Sequence, residues 1–231
     1  MVIIGVGGLG APAALVLAHE GVGALTLIDD DVVDRTNLHR QILFRDADVG
    51  RHKLDAAADA LMAIDPSLEL VLQRRRLEPS SALELLAGAD VVLECSDRYA
   101  VKFLAADAAH LAQVPIVHGA AIRWIGTALA ASAMGAPCYR CLFEDVPSGA
   151  QLSCDVAGVV GPVCGVVGAL QAKLALGLLD GEEGGTLASV DGLRDVVRTR
   201  PAPRRADCPL CGIRPTIDGI VATRYVEPSC V

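Results

Sequence analysis

Aromatic residues are scarce in this sequence, because one tryptophan, three tyrosines and three phenylalanines make up only 3% of the 231 residues. Hydrophobic residues nevertheless account for 52% of the chain, so the core must be built mainly from alanine, valine, leucine and isoleucine. Such a composition suits parallel strands that are buried on both faces beneath alanine-rich helices. The length is enough for one sizeable core and favours a single domain over two.

Long apolar runs and an excess of positive charge are missing as well. The longest apolar stretches, residues 124–139 and 156–173, are interrupted by glycine and proline and fall short of the roughly 20 residues of a membrane helix. The net charge of -8 disfavours nucleic acid as a partner, and the arginine runs at residues 74–76 and 204–205 are expected to be solvated surface. No secretory leader opens the chain, so we expect a cytoplasmic protein without a membrane partner.

Short β-type runs alternate with helix-forming segments through the first half of the chain. Strands are predicted over residues 2–6, 24–28, 68–72, 90–94 and 116–118, and helices over residues 11–20, 53–64, 80–87 and 99–112. This alternation predicts an α/β fold with a Rossmann-like, doubly wound, mostly parallel sheet. Further on, a strand at residues 127–133, a helix at 163–179 and a hairpin of residues 186–191 and 195–199 predict antiparallel strands that extend this sheet.

A glycine-rich turn connects the first predicted strand to the first predicted helix. Gly5, Gly7 and Gly10 form the pattern G-x-G-x-x-G, and Asp29 follows about 20 residues later at the end of the next strand. These glycines let backbone N–H groups approach phosphates at a helix N-terminus, and the carboxylate accepts hydrogen bonds from ribose hydroxyls. The pattern indicates a nucleotide site without identifying the nucleotide. A turn that only packs the helix on the strand is the alternative.

Polar and basic residues after Asp29 favour a triphosphate over a dinucleotide. Asn37, Arg40 and Gln41 lie in one short segment, and Lys53 opens the next predicted helix. A cation at a helix N-terminus is unfavourable with the helix dipole, so Lys53 requires a compensating anion. The alternative is a surface lysine whose aliphatic stem packs on the protein. Only three lysines occur among 20 basic residues, which favours a site that needs a compact charge.

Asp97 follows the predicted strand at residues 90–94. The carboxyl ends of parallel strands face a ligand crevice in doubly wound folds. A carboxylate at this place can hold the magnesium ion that accompanies a nucleoside triphosphate. Capping of the next helix by the same side chain is the alternative.

Eight cysteines in a chain expected in the cytoplasm indicate metal or redox chemistry before disulfides. Two CxxC pairs, Cys138 with Cys141 and Cys208 with Cys211, match the four thiolates of a closed, structural zinc site. The pairs lie far apart in sequence, so zinc would tie the last strands to the body of the domain. A thioredoxin-like redox pair is the alternative.

Together these residues resemble the ThiF/MoeB/HesA family, the bacterial relatives of ubiquitin-activating enzymes. The matching stretches follow the family's order: Gly5-Val6-Gly7-Gly8-Leu9-Gly10, Asp29-x-Asp31, Asn37-Leu38-x-Arg40-Gln41, Gly50-x-x-Lys53, Cys95-Ser96-Asp97, Gly119-Ala120-Ala121, Cys138-Tyr139-Arg140-Cys141, Cys154 with Ala157-Gly158-Val159, and Cys208-x-x-Cys211. The resemblance implies one domain over residues 1–231, with a nucleotide-binding half at 1–120 and a carrier-binding, zinc-holding half at 121–231.

The resemblance also implies a reaction. A homodimer containing zinc would use ATP and magnesium to adenylylate the C-terminal Gly-Gly carboxylate of a ubiquitin-like sulfur-carrier protein. The implied nucleotide-binding residues are Gly7, Gly8, Gly10, Asp29, Asp31, Asn37 and Gln41, and the implied catalytic residues are Arg40, Lys53, Asp97 and Cys154. In relatives that resemble ThiF, the cysteine at position 154 links covalently to the carrier during sulfur transfer, whereas in those that resemble MoeB adenylylation suffices.

Two departures from the family pattern keep other functions open. An arginine that family members carry before the first strand has no counterpart in this sequence, and Arg98 stands where asparagine is usual. A non-catalytic, zinc-stabilised module that binds the carrier is therefore a second hypothesis, and an NAD-dependent oxidoreductase is a third. The remaining cysteines, Cys95, Cys164 and Cys230, are predicted to be small buried or tail residues.

Overall fold

The computed structural model describes residues 1–135, 137–146 and 158–226. Within these ranges a mixed sheet of eight strands forms the centre of the molecule. The strands are β1 (Val2–Ile4), β2 (Ala24–Ile28), β3 (Glu69–Gln73), β4 (Val92–Glu94), β5 (Ile116–Ile122), β6 (Ile125–Ala131), β7 (Thr186–Asp191) and β8 (Val196–Pro201). The helices are α1 (Gly10–His19), α2 (Lys53–Ile64), α3 (Ala82–Leu86), α4 (Tyr99–Leu111), α5 (Tyr139–Leu142) and α6 (Gly161–Leu179).

The strand order across the sheet is β3-β2-β1-β4-β5-β6-β7-β8. The first five strands in this order pair in parallel, and β6, β7 and β8 continue the sheet in antiparallel pairing. The chain winds outward from β1 to β3 and then returns to β4 on the other side of β1. A crevice forms at such a reversal, outside the carboxyl ends of the strands. The predicted Rossmann-like sheet with an antiparallel extension is confirmed.

Helices cover both faces of the sheet, and each face has its own apolar cluster. Side chains of α1, α2 and α6 fill the cluster on one face, while those of α3 and α4 fill the other. Strand β1 lies between them, because Ile3 belongs to the first cluster and Val2 and Ile4 to the second. A central parallel strand that is buried in this way is apolar along its whole length.

Helix α6 is mostly apolar, with Gln171 and Lys173 as its polar side chains. By length and composition alone it could cross a membrane, but it packs against α1, β5 and β6, and half of its apolar stretch is buried within the protein. A proline in its first turn is compatible with the helix start, because backbone N–H groups there have no hydrogen-bond acceptor within the helix. In this fold α6 is therefore a core helix, as predicted for residues 163–179.

Strand β5 is longer than its sequence indicates. Residues 116–118 were predicted to be a strand, and the glycine and alanines that follow have little β propensity. The structure continues β5 to Ile122, because β6 folds back on it and pairs from Ile116–Ala131 to Ile122–Ile125. Residue 120, the predicted boundary between two halves of the domain, thus lies within β5. The division of function between the halves stays a prediction.

Candidate functional site

A cleft of about 390 Å³ opens at the carboxyl ends of β1, β2 and β4. Its walls come from the glycine turn after β1, the acidic segment after β2, the turn after β4 and the first part of α4, with further residues from β5, β6 and α5. The cleft is lined by eight of the predicted site residues: Gly7, Gly8, Asp29, Asp31, Arg40, Gln41, Lys53 and Asp97. Gly10 and Asn37 do not belong to this lining.

The glycine turn after β1 closes too tightly for a side chain at its end. Gly5 has a φ of +86°, and a Cβ atom added to Gly10 would lie 1.9 Å from the carbonyl oxygen of Gly5. At Gly7, in contrast, the nearest atom to an added Cβ is Nε2 of Gln41 at 3.6 Å. Gly10 therefore allows α1 to start against β1, and Gly7 leaves the cleft side of the turn open for a phosphate-sized group.

Asp29 connects the end of β2 to the glycine turn. Its carboxylate accepts a hydrogen bond from the backbone N–H of Val6 at 2.7 Å and another from that of Asp31 at 2.9 Å. The side chain is only 8% exposed, yet it borders the cleft. Each carboxylate oxygen can accept more than one hydrogen bond, so these contacts leave acceptor capacity for a ligand hydroxyl.

Lys53 lies at the first position of α2 with its amine inside the cleft wall. The Nζ atom contacts Asp31 Oδ2 at 2.8 Å and lies 3.9 Å from Asp29 Oδ1, while the side chain is 6% exposed. Asp31 is thus the compensating anion that a lysine at a helix N-terminus requires, and the surface-lysine alternative is wrong. A polyphosphate that enters the cleft would compete with these carboxylates for the ammonium group.

The segment that carries Arg40 and Gln41 is held by Asn37. The backbone carbonyl of Asn37 accepts hydrogen bonds from the N–H groups of Arg40 and Gln41, each at 3.0 Å. Gln41 is 4% exposed, and among the described residues its Oε1 atom has no hydrogen-bond partner. A buried acceptor without a partner is costly, so Gln41 beside the glycine turn fits a site that a ligand or water completes.

Asp97 is exposed in the turn between β4 and α4 and lines the cleft. The residue that caps α4 is Arg98, which makes no side-chain capping bond, so the capping alternative for Asp97 is wrong. An exposed carboxylate in the same cleft as the glycine turn fits magnesium, which binds proteins through one or two carboxylates and completes its shell with phosphates and water.

Arg75 and Arg76 also lie on the cleft wall. They belong to the basic run predicted as solvated surface, and all three arginines of the run are indeed exposed. Arg76 donates to Asp30 at 2.7 Å, and this hydrogen bond raises the pKa of its guanidinium. Sequence reasoning missed their place at the site, because an exposed arginine at a strand end has no distinctive local pattern.

A layer of buried polar groups lies beneath the turn that carries Asp97. Glu94 and Gln171 are fully buried, and Lys102 and His118 are 4% and 2% exposed. Burial alone would raise the pKa of Glu94, but the positive charge of Lys102, aided by His118, outweighs this effect and lowers it. Sequence reasoning missed this layer. The one available signal was a glutamate at the end of the otherwise apolar strand β4.

The four predicted zinc ligands come together in one place. Cys138 caps the N-terminus of α5 and Cys141 lies within it. Cys208 and Cys211 follow β8, and all four sulfur atoms lie within 4.8 Å of one another. Individual Sγ–Sγ distances are 4.0, 3.5 and 3.4 Å, near the separation of about 3.8 Å that tetrahedral Zn–S bonds of about 2.3 Å would give. The four-thiolate arrangement fits zinc and disfavours a separate redox pair.

The surroundings of the cluster favour a thiolate at Cys211 only, because hydrogen bonding to Cys211 and burial raise the pKa of Cys138, and burial raises that of Cys141. Hydrogen bonds from the neighbouring thiols, that of Cys138 first, lower the pKa of Cys211 to about 5. The backbone N–H of Arg205 points to Cys141 Sγ at 3.5 Å. Arg204 donates to the carbonyl of Cys211 at 3.3 Å. The second arginine run, predicted as surface, therefore borders the four-cysteine cluster.

Arg140, between the first two cysteines, joins the cluster to the helix α4. Its guanidinium binds both carboxylate oxygens of Asp107, at 2.7 and 2.9 Å, and Tyr225 donates to the same carboxylate at 2.8 Å. The side chains of Arg140 and Asp107 are 2% and 0% exposed. The Phe103 ring lies 4.8 Å below the guanidinium carbon, a favourable cation–π distance. The cluster is thus anchored on α4, the helix whose first residues line the cleft.

The remaining cysteines divide into two groups. Cys95 and Cys164 are buried, as predicted, and burial raises the pKa of the Cys95 thiol. Cys154 and Cys230 lie outside the described residues, together with Ala157 of the family motif. The catalytic role of Cys154 therefore stays a prediction.

Comparison with known proteins identifies relatives along the whole chain. The model of the ThiF family matches residues 1–210. The SAMP-activating enzyme E1 of Haloferax volcanii is 40% identical over 234 residues, which cover 100% of this chain and 86% of that protein. The adenylyltransferase and sulfurtransferase MOCS3 of Bos taurus is 42% identical over 94% of this chain, which spans 49% of the length of that relative.

Solved structures agree on the fold. Escherichia coli MccB with MccA-N7isoASN superposes with a TM-score of 0.80 at 20% identity, over 91% of this chain and 66% of that one. At this identity the likeness concerns the fold alone, whereas the family match and the Haloferax volcanii relative extend over most or all of the sequence. The chain belongs to the ThiF family.

Proposed function

We propose that this protein is an adenylyltransferase that uses ATP to activate the C-terminal Gly-Gly carboxylate of a ubiquitin-like sulfur-carrier protein. The observation that carries the proposal is the relationship over the full chain to an enzyme named as SAMP-activating. The relationship to MOCS3, named as an adenylyltransferase and sulfurtransferase, supports the same chemistry. The cleft adds a glycine turn, a ribose-type carboxylate and several cationic side chains, Arg40 and Lys53 among them, around one cavity.

The proposed reaction joins two anions. A carboxylate oxygen of the carrier attacks the α-phosphorus of ATP, the bond between the α-phosphorus and the bridging oxygen of the β-phosphate breaks, and the products are an acyl adenylate and pyrophosphate. No general base is needed, because a C-terminal carboxylate is already ionised at neutral pH. Arg40 and Lys53 neutralise charge on the phosphates, and the remaining task is to position the reactants.

Asp29 and the glycine turn hold the nucleotide in this proposal. The carboxylate of Asp29 accepts from the ribose, and the backbone between Gly7 and Gly10 faces the phosphates. Magnesium would be held by Asp97 and would supply further charge neutralisation. Zinc would be held by the four-cysteine cluster as a structural ion that binds the end of the chain to α4.

The proposed oligomeric state and cellular location are those that the family resemblance implies. A homodimer in the cytoplasm would present one carrier site per subunit. The net charge of -8 disfavours nucleic acid. If Cys154 also forms a covalent bond to the carrier, the protein would take part in sulfur transfer after the adenylylation.

The test is carrier-dependent exchange of labelled pyrophosphate into ATP. The purified chain is incubated with ATP, magnesium and a ubiquitin-like carrier that ends in Gly-Gly, and the control carrier lacks the last glycine. We expect exchange with the intact carrier only. Exchange with neither carrier, while calorimetry detects carrier binding, would favour the non-catalytic binding module.

A variant pair assigns the reaction to this cleft. Asp97→Ala should reduce exchange by at least the roughly 10–100-fold that loss of a group orienting a metal ligand costs. Asp195→Ala, in the turn between β7 and β8 and outside the cleft, should leave exchange unchanged. Equal activity of the two variants would refute the role of Asp97.

Preferential binding of NAD over ATP would instead favour the oxidoreductase hypothesis.

A further inference from the structure

The carboxylate of Glu94 grips the turn that leads to Asp97. Its Oε1 atom accepts from the backbone N–H of Ser96 at 2.9 Å and from the Ser96 hydroxyl. Its Oε2 atom accepts from Lys102 Nζ at 2.7 Å. Both oxygens are therefore engaged within a fully buried site, and one of them is bound to the residue immediately before Asp97.

Lys102 and Gln171 hold the same strand end from opposite faces of the sheet. Lys102, on α4, also donates to the carbonyl of Gly119 in β5. Gln171, on α6, donates to the carbonyls of Glu94 at 2.9 Å and Val117 at 3.2 Å. The side chain and the main chain of Glu94 are thus fixed at the same time, and β4 and β5 are held in register where the cleft begins.

Fold stability alone does not account for such an arrangement. A buried ion pair loses hydration energy that its mutual attraction often only just recovers, and well-packed apolar residues can replace it at no cost. The ion pair does provide directional hydrogen bonds that define the position of Ser96. Groups that orient a metal-binding side chain from behind commonly act in this way.

We propose that Glu94 is a positioning residue, which acts through Ser96 and is held in place by Lys102, and which sets the Asp97 carboxylate at the cleft. This inference rests on the proposed function, because it assumes that Asp97 binds the magnesium of the nucleotide. It assigns no contact between Glu94 and the substrate.

The experiment compares the affinity for ATP with and without magnesium, measured by calorimetry, in wild type and Glu94→Gln. We expect magnesium to strengthen ATP binding in wild type and this gain to fall by about 10–100-fold in the variant, the range seen for groups that orient metal ligands. Affinity for ATP without magnesium should stay within about twofold. A variant that was merely destabilised would lose both affinities or neither.

Asp107→Asn is the matched control, since Asp107 is on the same helix as Lys102, is fully buried and pairs with a cation. This variant should melt at a lower temperature and keep the magnesium-dependent gain of wild type. If Glu94→Gln does not fold, Ser96→Ala removes only the hydroxyl that binds Glu94, and we expect the gain to fall about threefold or more.

The results of these measurements distinguish failure of the positioning role from failure of the proposed function. A folded Glu94→Gln or Ser96→Ala protein with the gain of wild type would overturn the positioning role, as would an equal loss in Asp107→Asn. Failure of wild type to exchange pyrophosphate would instead refute the proposed function, while the calorimetric comparison would still decide whether Glu94 affects magnesium-dependent ATP binding.

Discussion

Replacement of Gly10 by alanine tests whether the glycine turn is as rigid as its contacts indicate. The added Cβ would lie 1.9 Å from the oxygen and 3.0 Å from the carbon of the Gly5 carbonyl, where carbon contacts normally lie about 3.5–4.0 Å apart. No side-chain rotation can relieve the clash, because Gly5 is itself fixed by a hydrogen bond from its N–H to the Ile28 carbonyl at 2.8 Å.

The expected loss of stability follows from these contacts. Overpacking costs about 1–3 kcal/mol or more, and a clash with backbone belongs at the upper end of that range. We therefore expect the free energy of unfolding to fall by about 3 kcal/mol, which lowers the melting temperature by about 6–12 °C for a chain of this size. Urea unfolding followed by far-UV circular dichroism measures the change, and ATP titration should show weaker binding by the deformed turn.

Gly165→Ala is the matched control for this prediction. Gly165 lies within α6, and an added Cβ would meet no heavy atom of the described residues within 4 Å. The same chemical change should therefore stabilise the protein by up to about 1 kcal/mol through helix propensity. If Gly10→Ala were as stable as Gly165→Ala, the conclusion that Gly10 is required for backbone contact would be refuted.

Three further predictions concern the cleft, the buried layer and the cysteines. Lys53→Met should weaken ATP binding by about tenfold or more in calorimetry. Lys173 is exposed on α6, so Lys173→Met should leave ATP binding unchanged. Equal effects of the two variants would contradict a contact between Lys53 and the phosphates. Burial lowers the pKa of His118 below its usual 6.5, despite the opposing effect of Glu94. Below about pH 6.5 the unfolded chain therefore binds a proton at this residue that the folded chain does not bind, and the free energy of unfolding should fall as the pH decreases. Urea titrations between about pH 5 and about pH 8 test this, and His118→Gln should have a shallower slope than wild type. Metal analysis of the purified protein should find about one equivalent of zinc per chain. The Cys208→Ser variant should lose this zinc and the Cys95→Ser variant should keep it. Retention of zinc by Cys208→Ser would contradict the assigned ligand set.

Elements with local signals could be predicted from the sequence. The strand at residues 24–28 and the helix at residues 53–64 coincide with β2 and α2. The helix consists largely of alanine and leucine and is followed by Pro66, which cannot continue it. The end of β5 could not be predicted, because pairing with β6, which begins at Ile125, and not the propensity of its own residues keeps it extended.

The residues of the site also divide into those with a local sequence signal and those without one. Residues that touch a ligand-sized cleft, such as Asp29 and Lys53, belong to short motifs whose spacing is visible in the sequence. Lys102 resembles any lysine of an exposed helix until the fold brings it against Glu94 and Gly119. The partner of Lys53 was required on electrostatic grounds, but only the structure identifies it as Asp31.

The contact between Arg140 and Asp107 limits how this protein can be dissected. The arginine belongs to α5 and the aspartate to α4, so a fragment that ends at residue 120 would keep Asp107 and lose the arginine that pairs with it. The same fragment would end within β5 and leave that strand as an unpaired sheet edge open to association with other chains. The first half of the chain should accordingly aggregate when expressed by itself, even though it contains nearly all of the nucleotide motifs.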